Sequence, residues 1–366
     1  MTVYLGLMSG TSLDGVDIVA VRLENDQVTL LGSYFESIPE QLRRDTLSIA
    51  NNNAVTAEQL GELDHKLGYF FADAINHAID TFPVKRESIA AIGSHGQTVC
   101  HQPEKPYPFT MQLGDPNLIA VKTKITVVAD FRRKDMAYGG QGAPLVPAFH
   151  QHIFSKPDTS TVILNIGGIA NITVLNPDNT VFGYDTGPGN MLMDHWIFNI
   201  KGERFDKNGQ FATSGKSIPS LLHNMLQDSY FSQTAPKSTG REYFNAAWIK
   251  QHLDRLNQQL RPEDVQATLL ALTVQTCADE IAKFGNGKVY VCGGGAHNSA
   301  LTSSLSLALP NWTISSTAEV NIDPDYLEAM AFAWLAHCAL NQIPANVPEV
   351  TGASQKCVLG AIYPAG

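Results

Sequence analysis

The feature that most constrains this chain is a layout that occurs twice. "TVYLGLM", "VDIVAVRLE" and "QVTLLGSYFES" read as three strands within residues 2–37, the first two joined by the turn "MSGTSLDG", Met8 to Gly15. Around Thr161 the pattern restarts: "TVILNIGGIANITVLNPDNTVFGYDTGPGN" is strand, glycine turn, strand, turn at Pro177–Asn179, strand. The likeness is in layout, not in letters. Short turns make each set an antiparallel meander. A repeat of this size implies two similar α/β halves, two lobes with a cleft between them.

Each meander is followed by alternating helices and strands. "TAEQLGELDHKLGYFFADAINHAIDTF" has apolar residues at helical spacing, including Leu60, Leu63, Leu67, Phe70 and Phe71. "IAAIGSHGQTV" reads as a strand ending in a polar turn, "DPNLIAVKTK" as a short helix and "ITVVADF" as a strand. In the second half "PEDVQATLLALTVQTCADEIAKF" predicts a helix with Pro262 in its first turn. "KVYVCGGGAHNSALTSSLSLAL" is strand, glycine turn, helix, and "DPDYLEAMAFAWLAHCAL" a strongly apolar helix. The tail "VTGASQKCVLGAIYP" reads as a return strand to the first lobe, and "DFRRKDMAYGGQGAP" as the link between lobes.

With 366 residues the chain has enough length for two cores, and its 44% hydrophobic and 16% charged residues are those of a globular protein. A net charge of −10 excludes a general nucleic-acid-binding surface, while leaving room for a local anion site. Cys100, Cys277, Cys292, Cys338 and Cys357 are odd in number and lack C-x-x-C spacing, so they read as reduced thiols of a cytoplasmic protein. No apolar run approaches membrane-spanning length, and no membrane partner is expected.

Three glycine turns are candidates for phosphate binding. Gly10 and Gly15 flank Thr11 and Ser12, whose hydroxyls and N–H groups suit phosphate oxygens. "NIGGIANIT" puts Gly167 and Gly168 at the same place in the second meander, and "VCGGGAHNS" puts Gly293, Gly294 and Gly295 between strand and helix. A tight hairpin explains one such turn by geometry alone; two at equivalent places in a duplicated fold favour phosphate. "GKS" at residues 215–217 is not a P-loop, because Gln210 stands where glycine is required.

Asp185, in "GYDTGPGN", is a carboxylate at a strand end beside a glycine-rich bend, which suits a general base. An Asp turn or N-cap is the alternative. His95 and Gln97 read as sugar- or phosphate-facing hydrogen bonders and His101 as a structural histidine. Of Arg132 and Arg133, one suits bidentate anion binding and the other a surface ion pair. Glu328 is either a first-turn partner of its helix dipole or a cleft residue.

"GLMSGTSLDGVD", "GSHGQT", "ADFRRKDMAYGGQGAPLVP", "NIGGIANIT", "DTGPGN", "CGGGAHN" and "LEAMAFAWLA", in this order, resemble the anhydro-N-acetylmuramic acid kinases along essentially the whole chain. The resemblance implies a duplicated actin-like (ribonuclease H-like) fold with a central interlobe cleft. Its lobes are expected at residues 1–131 plus 348–366 and at residues 132–347. It also implies the reaction: ATP and water convert 1,6-anhydro-N-acetylmuramic acid to N-acetylmuramic acid 6-phosphate and ADP, in recycling of bacterial cell wall. Asp185 matches the family's catalytic Asp. Gly10, Thr11, Ser12, Leu13, Asp14, Gly15, Val16 and Asp17 would hold ATP phosphates, with Gly167–Gly168 as a second wall and Gly293–Gly295 at the nucleotide. Gln97, Arg132 and Glu328 are expected at the sugar. Mg2+ would neutralise phosphate charge, its protein ligands left open, because Met8 and Ser9 stand where many superfamily members carry Asp. A homodimer is compatible with the family. The alternatives are a conventional hexosamine kinase and an actin- or chaperone-like ATPase.

Overall fold

The computed structural model describes residues 2–10, 13–24, 27–50, 54–155, 158–235, 237–256 and 258–366. The chain divides into two compact units, residues 1–153 with 326–366, and residues 154–325.

In the first unit the meander is β1 (Val3–Ser9), β2 (Gly15–Glu24) and β3 (Gln27–Ser37), antiparallel throughout. Two later strands, β4 (Ile89–Gln102) and β6 (Val127–Ala129), extend the sheet in parallel beyond β1. The C-terminal strand Ala361–Tyr363 pairs antiparallel with β6, so the tail does return to this unit. β5 (Phe109–Leu113), which the sequence pattern did not predict, pairs with β4 from Gln97 to Gln102. That pairing carries β4 straight through "SHGQT", so His95 and Gln97 stand on a strand rather than in a turn.

Helix Ala57–Thr81 starts on a capping box in which Thr56 and Gln59 satisfy each other's backbone N–H groups. It buries Leu63, Leu67, Phe71 and Ile75, one per turn, in the core of this sheet. Each such side chain contributes about 2 kcal/mol when fully buried. Helix Leu327–Leu340 is apolar nearly all round and packs on β1, β2 and β4. It therefore belongs to the first unit, as does "DFRRKDMAYGGQGAP", which forms a short helix, Arg133–Ala137, and a loop tied to residues 346–354. The division falls at residues 153/154 and 325/326 rather than at the expected 131/132 and 347/348.

The second unit repeats the plan. β7 (Ser160–Ile166), β8 (Ile169–Leu175) and β9 (Val181–Pro188) form the meander, and β10 (Gly287–Cys292) and β11 (Trp312–Ser316) extend it in parallel beyond β7. The order β9-β8-β7-β10-β11 has the strand directions of β3-β2-β1-β4-β6. This is the duplicated ribonuclease H-like topology of actin-like proteins. Helix Pro262–Ala282 begins with Pro262, carries Glu263 and Asp264 in its first turn and buries its apolar face in this core. Among the described residues no helix is long and apolar enough to cross a membrane.

Candidate active site

Asp185 sits within β9, because the strand runs on through the glycine-rich bend to Pro188. A register irregularity opposite Ala170/Asn171 interrupts the pairing beside it. The irregular segment after Gln227 grips the residue. The Thr239 N–H donates to Asp185 Oδ2 (3.0 Å), the Asp185 N–H donates to the Lys237 carbonyl (3.0 Å), and the Tyr230 hydroxyl donates to the Asp185 carbonyl (2.8 Å). Burial raises the Asp185 carboxyl to about 6, the Thr239 hydrogen bond opposes that rise, and the Glu242 charge adds to it. A carboxylate at about 6 is ionised at neutral pH and still basic enough to take a proton.

The two glycine turns of the second unit differ in what they exclude. A Cβ on Gly293 would stand 2.4 Å from Asn165 Oδ1, and one on Gly295 would stand 2.5 Å from the Ile166 side chain. Those two glycines let β10 and its following turn approach β7. Gly167, Gly168 and Gly294 are different: a Cβ on each meets nothing nearer than 3.6 Å. No protein neighbour demands glycine at these three, and a side chain there would fill open space in front of the turns. The Gly167 carbonyl accepts from Asn190 N–H and the Gly168 carbonyl from Gly189 and Met191 N–H, which docks the turn on the start of helix Met191–Lys201. Beyond Gly295, the Asn298 side chain caps helix Ser299–Ala308 by accepting from the Leu301 N–H. A groove of about 740 Å³ lies along that helix, lined by Asn208, Thr213, Ala267, Leu270, Ala300 and Ser303 among others.

In the first unit, Gly10 leads into the turn; Thr11 and Ser12 lie outside the described residues. Leu13 is buried with φ of 55°, an uncommon conformation for a leucine, and its N–H donates to the Gly10 carbonyl. Asp14 is exposed, Gly15 and Asp17 are half-buried at the start of β2, and the Val16 side chain lies in the core. Gln97 is 1% exposed: its Oε1 accepts from Ser9 Oγ (2.6 Å) and its Nε2 donates to the Gly10 carbonyl (3.4 Å).

Arg132 is half-buried, and Arg133 pairs with Asp130 at the surface. Arg132 Nη1 donates to the Gly142 carbonyl (2.8 Å) and Nη2 to His95 Nε2 (2.8 Å). Arginine has no acceptor, so His95 is the neutral tautomer with its proton on Nδ1. Burial and the Arg132 charge both hold the His95 pKa well below its usual value. Burial lowers Arg132 to about 10, against the Glu328 charge that raises it. Burial likewise raises Glu328, and Arg132 opposes that. Asp135, fully buried, fixes this corner: it accepts from Gly142 N–H, Asn346 Nδ2 and Thr351 Oγ1. His101 contacts Thr110 Oγ1 through Nδ1 (3.1 Å), a structural role.

The sequence pattern did not single out Tyr230, Lys237, Thr239 or Glu280. Only Glu280 left a trace, as a carboxylate on the apolar face of a helix, three residues after Cys277. Among the described residues no group of three or more His, Cys, Asp or Glu side chains is arranged to hold a metal ion.

The duplicated ribonuclease H-like core puts the chain in the class of actin-like proteins. Within that class the chain belongs to the anhydro-N-acetylmuramic acid kinase family, whose model matches residues 2–365. It is 54% identical over 368 residues to the anhydro-N-acetylmuramic acid kinase of Aliivibrio fischeri, covering 100% of both chains. It is 52% identical to that of Photobacterium profundum, covering 99% of this chain and 98% of the other. Among solved structures, an activator of 2-hydroxyisocaproyl-CoA dehydratase from Clostridium difficile with bound ADPNP aligns with a TM-score of 0.46 at 13% identity, over 91% of this chain and 93% of that one. The protein is a kinase.

Proposed function

We propose that this protein uses ATP and water to convert 1,6-anhydro-N-acetylmuramic acid to N-acetylmuramic acid 6-phosphate and ADP. The observation that carries the reading is Asp185, gripped by Thr239 N–H and raised to about 6, on a chain of this family. Asp185 takes a proton from water as its oxygen bonds to the anomeric carbon. The anomeric bond to O6 breaks, and O6 attacks the γ-phosphorus of ATP, releasing ADP. Little covalent chemistry falls to the protein, so positioning and charge neutralisation carry the rate.

The open glycines Gly167, Gly168 and Gly294 suit close approach of nucleotide phosphates, with Gly293 and Gly295 shaping the same turn. The adjoining groove along helix Ser299–Ala308 suits the nucleoside. We assign the turn from Gly10 to Asp17, including Thr11 and Ser12, to ATP phosphate as well. Mg2+ enters with ATP as part of the co-substrate, held mainly by phosphate and water. Arg132 suits the lactyl carboxylate of the sugar and Glu328 a sugar hydroxyl. Gln97 acts on this end of the sheet by pinning Ser9 and Gly10 rather than by reaching out. Use of ATP as co-substrate supports a cytoplasmic location.

The test is ADP release from enzyme and MgATP on adding the anhydro sugar, with Asp185→Asn beside it. Sugar-dependent release that disappears in the variant supports the reading. Release with open N-acetylmuramic acid but not with the anhydro sugar replaces it by a conventional hexosamine kinase.

A further inference from the structure

A single buried carboxylate, Glu280, holds both chain segments that fix Asp185. Its Oε1 accepts from Lys237 Nζ at 2.8 Å and its Oε2 from the Tyr184 hydroxyl at 3.1 Å. Lys237 and Glu280 side chains are 2% and 6% exposed. Tyr184 is the residue before Asp185 on β9. The Lys237 carbonyl accepts the Asp185 N–H, and Thr239, two residues on, donates to the Asp185 carboxylate. The Lys237 ammonium also lies 5.1 Å from the ring centroid of Tyr230, whose hydroxyl bonds the Asp185 carbonyl. Strand β9 at Tyr184 and the segment from Lys237 to Thr239 thus both lead back to helix Pro262–Ala282 through Glu280.

A buried ion pair adds little net stability over apolar residues of similar volume, because desolvation offsets the attraction. What it imposes is geometry. The Glu280 carboxylate has one oxygen for each segment: Oε2 takes strand β9 at Tyr184, and Oε1 takes the Lys237 segment, which lies outside any helix or strand. Lys283, at the surface, also bonds Glu280 Oε2 and helps keep it ionised.

We propose that the Lys237–Glu280 pair is a positioning device for the catalytic carboxylate, with Tyr184 as its second arm. It sets the distance and angle of Asp185 toward the water it deprotonates and contributes nothing to substrate binding. The inference rests on the reading of Asp185 as general base.

The test replaces the pair by apolar residues, Lys237→Met with Glu280→Leu, which leaves no unpaired buried charge. Tyr184→Phe, which removes only one hydroxyl, is the milder probe. The expected result for the double variant is a thermal midpoint near that of the wild type and a kcat lower by about tenfold to a hundredfold, the scale of a small misplacement. KM for ATP and for the sugar stays within about twofold, as for an interaction used only in the transition state. Tyr184→Phe gives a smaller loss of the same kind. A wild-type kcat in either variant, or a loss confined to KM, overturns the proposal. Asp185→Asn separates the two failures. If it keeps turnover, the reading of the base fails. If it is inactive while the double variant is fully active, only the positioning role fails.

Discussion

Gly6 and Gly93 are register partners on the adjacent parallel strands β1 and β4, and both lie directly under one helix. A Cβ on Gly6 would stand 1.8 Å from the Ala329 carbonyl oxygen, and one on Gly93 would stand 2.0 Å from that of Phe332. The paired glycines let helix Leu327–Leu340 rest on the sheet backbone, and so fix Glu328 relative to His95, two residues beyond Gly93. Backbone cannot swing aside as a side chain does. Gly6→Ala and Gly93→Ala should each destabilise by about 3 kcal/mol, the upper range for overpacking. Denaturant unfolding checks this; a midpoint unchanged in both variants refutes the packing argument.

The open glycines call for the opposite pattern. Gly168→Ala places a methyl group 3.7 Å from the Met191 Cβ and strains nothing, and neither Gly167 nor Gly168 has a positive φ. The fold should be unaffected, with the thermal midpoint within about a degree, since substitutions away from packed features change stability by about 0.5 kcal/mol or less. If phosphate lies against this turn, KM for ATP rises by about tenfold or more, the equivalent of about 1.4 kcal/mol. Gly295→Ala, which meets Ile166 at 2.5 Å, should lose stability instead. An ATP KM unmoved in Gly167→Ala, Gly168→Ala and Gly294→Ala would remove these turns from the nucleotide site.

Much of this was legible in the sequence. Strand periodicity and glycine turns were enough to read both meanders, and the apolar stripes of residues 57–81 and 262–282 appear as helices. Two polar stretches were misjudged for one reason. "SHGQT" and "GYDTGP" lack alternating hydrophobics, yet both are strand, because pairing with β5 and with Ile169 supplies what local pattern does not. The lobe boundary was displaced because helix Leu327–Leu340 records its apolar character in the sequence but not which sheet it covers. Asp185 could be singled out from its bend, whereas its holders could not. Thr239 acts through its backbone N–H, which any residue but proline provides, and Lys237 looks like any surface lysine until Glu280 is found beside it.

The Arg132 corner depends on a carboxylate that never meets the guanidinium. Asp135 holds Gly142 through its N–H, and the Gly142 carbonyl orients Arg132. Asp135→Ala leaves the Gly142 N–H without an acceptor and removes one of two acceptors from Asn346 Nδ2, which keeps the Gln355 carbonyl, and from the Thr351 hydroxyl, which keeps a longer contact to the Val347 carbonyl. With about 1–3 kcal/mol for a buried donor left unmet and less for the two that keep another acceptor, a loss of about 3 kcal/mol is expected, read by denaturant unfolding. Arg132→Lys should fold normally but cannot reach both Gly142 and His95 with a planar fork. Its expected effect is a rise in KM for the sugar with KM for ATP unchanged; equal rises in both would argue against a place at the sugar.

Asp185 makes a prediction in which activity and stability move in opposite directions. As a base it works ionised, so kcat/KM should fall about tenfold per pH unit below a midpoint near 6. The same shift has a stability consequence. An unfolded Asp titrates at about 3.9, so between that value and about 6 the folded protein binds the extra proton. Stability therefore falls as pH rises through this window, and the penalty is fully present above it. Two pH units correspond to about 3 kcal/mol. Asp185→Asn removes the charge that burial disfavours. It should raise the thermal midpoint by several degrees at pH 7.5, lose that gain at pH 4, and abolish turnover at both. A variant no more stable than the wild type at pH 7.5 would mean that Asp185 is solvated in the free enzyme, and the acid limb of kcat/KM would then lie nearer pH 4 than 6.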